Sequence, residues 1–249
     1  MATQSDRIYS PGLSTLEPVP STAERIVVLG ASGHASVVLD ICRLEGRYQV
    51  VGLLDSYKPC GSTCRGHEVI GSWEDLPKLV AAGTVAGAIV AIGDNWRRAR
   101  IVANIRGTLP DFRFVTAVHP SAQVAEDVVL GAGSVVMAGA VVNPGSEVGE
   151  FCIVNTRASL DHECVMDDYS SLGPGAVIGG CVRIGAYTAI GIGAVVLQEM
   201  QIGTHTVIGA SSTVFEDVPE NVVAYGTPAR VIRARQPGDP YLNAHKSPR

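Results

Sequence analysis

The chain has 249 residues, is 46% hydrophobic and only 5% aromatic, and carries 28 glycines and a formal net charge of −5 at pH 7. Mild acidity without a basic stripe argues against a nucleic-acid binder, and no apolar run is long enough for a membrane-spanning helix. The first residues lack the charged start and apolar core of a signal peptide, so the six cysteines read as free thiols of a cytoplasmic protein rather than a disulfide framework.

Residues 1–24, with Pro11, Pro18 and Pro20 among serines and threonines, read as a flexible leader. A buried-strand run over 26–29 follows, then Gly30-Ala31-Ser32-Gly33-His34 and an amphipathic helix to about Glu45. A second strand over 49–54 ends at Asp55. Cys60, Cys64 and His67 offer three metal ligands with no evident fourth, so that segment reads as a glycine-rich surface loop. Ser72 caps a helix beginning at Trp73, 88–92 is a further buried strand, and Gly93-Asp94-Asn95 leads into an arginine-rich helix over 96–106. This β-α-β alternation makes residues 25–116 a Rossmann-like α/β domain.

A glycine-rich turn from strand to helix presents free backbone N–H groups and the positive end of the helix dipole, which suits a phosphate. Ser32, Gly33 and His34 are placed to hold a nucleotide or nucleotide-sugar diphosphate, and Asp55 at the tip of the second strand to accept hydrogen bonds from it. A plain tight turn accounts for the same residues. Ser32 and Ala35 stand where the dinucleotide fingerprint needs glycine, and about ninety residues is short for a dinucleotide-binding fold. A dehydrogenase is therefore disfavoured.

From Val118 to Val214 an aliphatic residue recurs at every sixth position, through Val124, Leu130, Val136 and so on, without a slip. A hexapeptide period belongs to a parallel β-helix in which each aliphatic side chain points into the coil axis. Small residues such as Ser134, Ala140, Cys152, Ala158 and Cys164 follow four positions later and fill a narrow interior, the cysteines as compact apolar fillers. Glycine often follows the aliphatic residue, as at Gly149 and Gly191, where tight corners call for backbone freedom. Three hexads close a triangular coil, so residues eighteen apart stack roughly 4.8 Å from each other. Residues 117–235 form this domain, and 236–249 a tail without a functional signal.

With the interior packed, chemistry belongs on the outside. His162, two places after Leu160, is an outward imidazole flanked by Asp161 and Glu163, carboxylates that can orient it and raise its basicity. A solvated surface histidine is the alternative.

The segments Gly30-Ala31-Ser32-Gly33-His34, Leu54-Asp55-Ser56, Ala91-Ile92-Gly93-Asp94-Asn95, Asp161-His162-Glu163-Cys164 and Tyr225-Gly226-Thr227-Pro228-Ala229-Arg230 occur in order over about residues 25–233. Together they resemble the bacillosamine-type nucleotide-sugar acetyltransferases of the hexapeptide family, relatives of the sialic-acid O-acetyltransferases. The resemblance implies a left-handed β-helix that assembles as a homotrimer with acetyl-CoA in its clefts, and an N-terminal domain that binds the nucleotide sugar. It assigns His162 as catalytic base and Glu163 as the residue that tunes it. Ser32, Gly33, His34, Asp55, Ser56 and Gly93 would contact the nucleotide sugar, and Ser171, Ile192 and Ala210 would line the CoA cleft. The family often has a second histidine where this chain has Ser171.

The implied reaction is direct transfer without metal or acyl-enzyme. A sugar amine, deprotonated by His162, attacks the thioester, and the backbone N–H of Gly180, one coil above, is positioned to receive the oxyanion. The acceptor is expected to be a UDP-linked amino-deoxy sugar, with dTDP and GDP as other carriers. O-acetylation of a sialic acid or related hydroxyl and a non-catalytic nucleotide-sugar-binding trimer remain as alternatives. A metalloenzyme of the γ-carbonic anhydrase type is disfavoured, because His119, His162 and His205 are not eighteen-residue stacks.

Overall fold

A computed structural model describes residues 23–242. Most of the expected leader and the end of the expected tail lie outside them. The N-terminal half is a five-stranded sheet made of β1 (Glu24–Leu29), β2 (Tyr48–Leu54), β3 (Thr63–Cys64), β4 (His67–Gly71) and β5 (Gly87–Val90). Its order is β3-β4-β2-β1-β5, parallel except for the β3-β4 hairpin. Ile26, Val27, Val28 and Leu29 are 0–1% exposed, as expected of a central parallel strand covered on both faces. Helix α1 (Gly33–Glu45) packs with the C-terminal half on one face; α2 (Leu76–Ala81) and α3 (Asn95–Thr108) cover the other.

Two local expectations change. The presumed loop around Cys60 and His67 contains the β3-β4 hairpin, in which Cys64 pairs with His67 across the strands. The helix expected at Trp73 begins as a 3-10 turn, Trp73–Asp75, closed by a reciprocal Ser72–Asp75 capping box, before α2 starts at Leu76.

The C-terminal half is a triangular coil of two-residue strands from Ala117–Val118 to Thr213–Val214. Each strand up to Val195–Val196 pairs in parallel with the one eighteen residues on, as Ser159 does with Val177 and Leu160 with Ile178. The first flat face runs through Ser159–Leu160 and Val177–Ile178, the second through Val165–Met166 and Arg183–Ile184, and the third through Ser171–Leu172 and Ala189–Ile190. The aliphatic positions from Val136 to Val214 are buried along the axis, apart from a partly buried start at Val118, Val124 and Leu130.

The small inner slots do more than fill space. Ser134 Oγ donates to the Gly149 carbonyl at 2.7 Å and accepts from the Cys152 amide at 2.7 Å. Cys152 and Cys164 donate likewise to the Asp167 and Gly179 carbonyls at 3.2 and 3.1 Å. These thiols therefore satisfy buried corner carbonyls, which a purely apolar filler would not.

The glycines after the aliphatic residues are needed for space, not for backbone freedom. A Cβ on Gly185 or Gly191 would lie 2.6 Å from the amide nitrogen of Thr204 or Ala210 in the next coil. The left-handed corner conformation falls two residues later, at positions such as Glu163, Tyr169, Cys181 and Tyr187.

Beyond Val214 the strands Val222–Gly226 and Ala229–Ala234 form an antiparallel hairpin that extends the third face. The N-terminal domain sits on this face and on the corner between the second and third faces. Along that corner Phe151, Tyr169, Tyr187 and His205 stack eighteen residues apart, nearly parallel, with centroids 5.2, 5.2 and 4.4 Å apart. Trp96 of α3 packs against Tyr187 and His205. Arg98, 1% exposed, donates to the carbonyls of Phe151 and Tyr169 in the coil and of Ile92 and Gly93 in its own domain, and to Asn95 Oδ1.

His34, in the first turn of α1, feels that guanidinium. Burial first and the Arg98 charge second push its imidazole from 6.5 down to about 4, and among the described residues its Nε2 has no hydrogen-bond partner. The ring stays neutral in the fold while the unfolded chain protonates near pH 6.5. Its contribution is therefore complete above pH 6.5 and is lost as the pH falls toward 4, by about 3 kcal/mol in all. Chemical unfolding between about pH 7.5 and about pH 4.5 should show this loss in the wild type and a shallower loss in His34→Gln. Equal slopes in the two proteins would assign the acid sensitivity to other groups.

Candidate functional site

The sheet order reverses between β1 and β5, so the crevice at the ends of those strands is the switch point at which ligands enter such sheets. Gly30 opens it. Its φ of +112° and the Ala91 carbonyl, 3.0 Å from where a Cβ would stand, both demand glycine. Ser32 and Gly33 are exposed at the N-terminus of α1, the Ser32 side chain makes no capping bond, and open space faces Gly33. An anion can therefore approach the free amides.

Asp55 has a structural task here. Its carboxylate accepts from the amides of Ala31 at 2.8 Å, Tyr57 at 2.8 Å and Lys58 at 3.0 Å, tying the loop after β1 to the loop after β2. Ser56 is exposed beside it.

The opposite wall is the loop after β5. Gly93 offers its carbonyl to Arg98 and, at 3.4 Å, to the Tyr241 hydroxyl, which also accepts from the Asn95 amide at 3.1 Å. Asn95 Nδ2 reaches the carbonyls of Tyr187 and Thr188 in the coil at 3.3 and 3.1 Å. Burial raises the Tyr241 phenol above its ordinary range, and the phenol sits beside Ser171. The segment from Arg235 to Leu242 thus returns to the N-terminal domain, with Arg235 anchored on the His205 carbonyl at 2.6 Å. Asn95, Arg98 and Tyr241 escaped the sequence reading. Arg98 was one of several arginines in the arginine-rich helix over 96–106, and nothing local marks Tyr241, whose partner Asn95 is 146 residues away.

His162 stands on another corner, between the first and second faces. Its side chain is 56% exposed. Nδ1 lies 3.2 Å from Glu163 Oε2, which assigns the ring proton to Nδ1 and leaves Nε2 with a lone pair. Gly180 is directly above: a Cβ there would stand 2.6 Å from Nε2 and Cε1. Among the described residues the Gly180 N–H donates to nothing. The two flanking carboxylates differ. Asp161 Oδ1 accepts from Asn143 Nδ2 at 2.8 Å and from the His162 amide at 2.9 Å, which lowers its pKa and directs it to the backbone, so Glu163 alone meets the ring.

Ile192 and Ala210 are exposed and eighteen residues apart, on the third corner, between the third and first faces. Ser171 does not join them. Within one chain it lies mid-face beneath the N-terminal domain, next to Tyr241. The proposed nucleotide residues thus lie in the N-terminal domain, Ser171 on the third face of the coil, and the base and the other CoA residues on two different corners. A groove of about 530 Å³ over the second face, lined by Arg183, Gln201, Thr204 and Asp217, contains none of them.

A family model described as the PglD N-terminal domain matches residues 25–105. GDP-perosamine N-acetyltransferase from Caulobacter crescentus, solved as a histidine-to-alanine variant with CoA and GDP-perosamine, is 36% identical; the alignment covers 84% of this chain and 96% of that one, with a TM-score of 0.79. The acetyltransferase domain of PglB from Neisseria gonorrhoeae FA1090, solved with acetyl coenzyme A, is 33% identical over 84% of this chain and 100% of that one, with a TM-score of 0.77. A curated relative, GDP-perosamine N-acetyltransferase of Escherichia coli O157:H7, is 29% identical over 97 residues, and the match spans only 42% of its length. By its α/β domain, its left-handed coil and these relatives, the chain belongs to the hexapeptide-repeat nucleotide-sugar N-acetyltransferase family.

Proposed function

We propose that this chain transfers the acetyl group of acetyl-CoA to the amino group of a nucleotide-linked amino-deoxy sugar, with His162 as general base. The observation that carries the reading is the His162 ring itself: exposed, held at Nδ1 by Glu163, and free at Nε2 beside the unpaired Gly180 amide. Acetyl-CoA supplies the activated thioester, and the exposed apolar column of Ile192 and Ala210 fits its lipophilic arm. As the sugar amine attacks, Nε2 takes its proton, Glu163 stabilises the imidazolium that forms, and the Gly180 N–H offers a donor to the developing oxygen charge.

The layout favours assembly. The nucleotide crevice and His162 lie on different sides of one coil, so a base acts on a crevice-bound sugar only if a second copy supplies it. A homotrimer around the coil axis direction meets that need. The relative crystallised with GDP-perosamine favours a GDP-linked acceptor over the UDP carrier expected from sequence. Among the described residues no helix is long and apolar enough to cross a membrane, and the six free cysteines suit a reducing, cytoplasmic setting.

Acetyl-CoA consumption with GDP-, UDP- and dTDP-linked amino sugars, and with their hydroxy counterparts, tests the reading. Turnover is expected only with amino acceptors; turnover with hydroxy sugars would indicate O-acetylation, and tight binding without CoA release a sensor. His162→Gln should lower kcat by about 10²–10⁴ with the fold retained, and near-normal turnover would refute the base assignment. Gly180→Ala should displace the ring and cost roughly 10²-fold in kcat while nucleotide-sugar affinity holds. An unaffected rate in that variant would remove Gly180 from the site.

A further inference from the structure

Directly beyond Glu163 along its corner, eighteen residues on, stands Cys181, and the mechanism makes no use of it. The Cys181 thiol is exposed and lies 3.6 Å from Glu163 Oε2, the same oxygen that lies 3.2 Å from His162 Nδ1. Ligand atoms of His162, Glu163 and Cys181 all fall within 4.8 Å of one another. A tetrahedral zinc ion with bonds of about 2.0–2.1 Å to nitrogen, 2.0–2.2 Å to oxygen and 2.3 Å to sulfur has edges of about 3.4–3.6 Å between such ligands. The two pairs that share Glu163 Oε2, at 3.2 and 3.6 Å, are close to that spacing, and His162 and Cys181 lie within 4.8 Å of each other. One imidazole, one carboxylate and one thiolate with a fourth position open to water is also a donor set that suits Zn²⁺ and other borderline-soft divalent ions better than Mg²⁺ or Ca²⁺. Asp161 and Glu199 add negative charge around the thiol.

We propose that His162, Glu163 and Cys181 form a reversible inhibitory site for Zn²⁺ or a similar thiophilic divalent cation. Binding replaces the thiol proton, which passes to solvent, and uses His162 Nδ1 as a ligand. A neutral imidazole ligated at Nδ1 must carry its proton on Nε2, so the lone pair needed for catalysis is lost and Glu163 is drawn from the ring to the metal. The metal site itself depends only on the geometry; its kinetic effect rests on the reading of His162 as base.

Titration of the full-length protein with Co²⁺ should give about one thiolate-to-cobalt charge-transfer chromophore per chain, bleached by Zn²⁺. Cys181→Ser and Cys181→Ala should lose it, and Cys60→Ser, which removes another exposed thiol, should keep it. Acetyl transfer, followed by loss of thioester absorbance in buffer without added thiol, should be inhibited by Zn²⁺. Cys181→Ser should retain basal turnover and need at least roughly tenfold more Zn²⁺ for half-inhibition. A chromophore that survives in Cys181→Ser, or none in the wild type, would overturn the site. Equal Zn²⁺ inhibition in wild type and Cys181→Ser would assign inhibition to chelation of released CoA and overturn the regulatory role. Metal bound through Cys181 with no loss of turnover would uphold the site and count against His162 as base.

Discussion

The constraint on which the rest depends is the eighteen-residue register of the coil. Because each residue stands one strand spacing from its eighteenth neighbour, every position in the sequence is a column in space. Some columns are aliphatic and fill the axis. Others carry hydroxyls or thiols that satisfy the corner carbonyls from inside. The outer columns carry aromatic rings from Phe151 to His205 that receive the N-terminal domain, His162 beneath Gly180, and Ile192 beneath Ala210. The same register that makes the core rigid holds the imidazole against the next coil, where a single methyl would collide with it.

Much of this was legible from residue types alone, because a strict period leaves little freedom. The parallel β-helix, the outward direction of His162 and its stacking against Gly180 follow from counting sixes and eighteens, and the α/β domain from its alternating strands and helices. What escaped was the physics that periodicity does not encode. Glycine after many of the aliphatic residues suggested a flexible corner, yet the backbone bends two residues later, and the glycine is there because the neighbouring coil leaves no room for a Cβ. Cys152 and Cys164 passed for apolar filler because composition does not show which carbonyl a thiol meets. Arg98 and Tyr241 were invisible for a different reason. Their roles come from partners in the other half of the chain, and no local pattern distinguishes a buried arginine held by five acceptors from a solvated one.

Asp161 and Glu163 show how fine that limit is. Both flank the same histidine, and either could orient it. Asp161 is committed to its own backbone and to Asn143, one coil away, leaving Glu163 for the ring. Ser171 is a parallel case. Its neighbour is Tyr241, at the crevice of the N-terminal domain, and within one chain it is apart from Ile192 and Ala210. Carbonyl dipoles and the Asn95 amide oxygen accept from the Arg98 guanidinium, and burial first and that charge second keep His34 neutral.

The bonds from Asn95 and Gly93 to Tyr241 carry a consequence for the order of events during synthesis. Emerging from the ribosome, the α/β domain has its own sheet and can fold early, as N-terminal domains generally do. The loop after β5 does not acquire its partner until 146 further residues have been made, so the crevice wall is completed only after the residues of the coil have been synthesised.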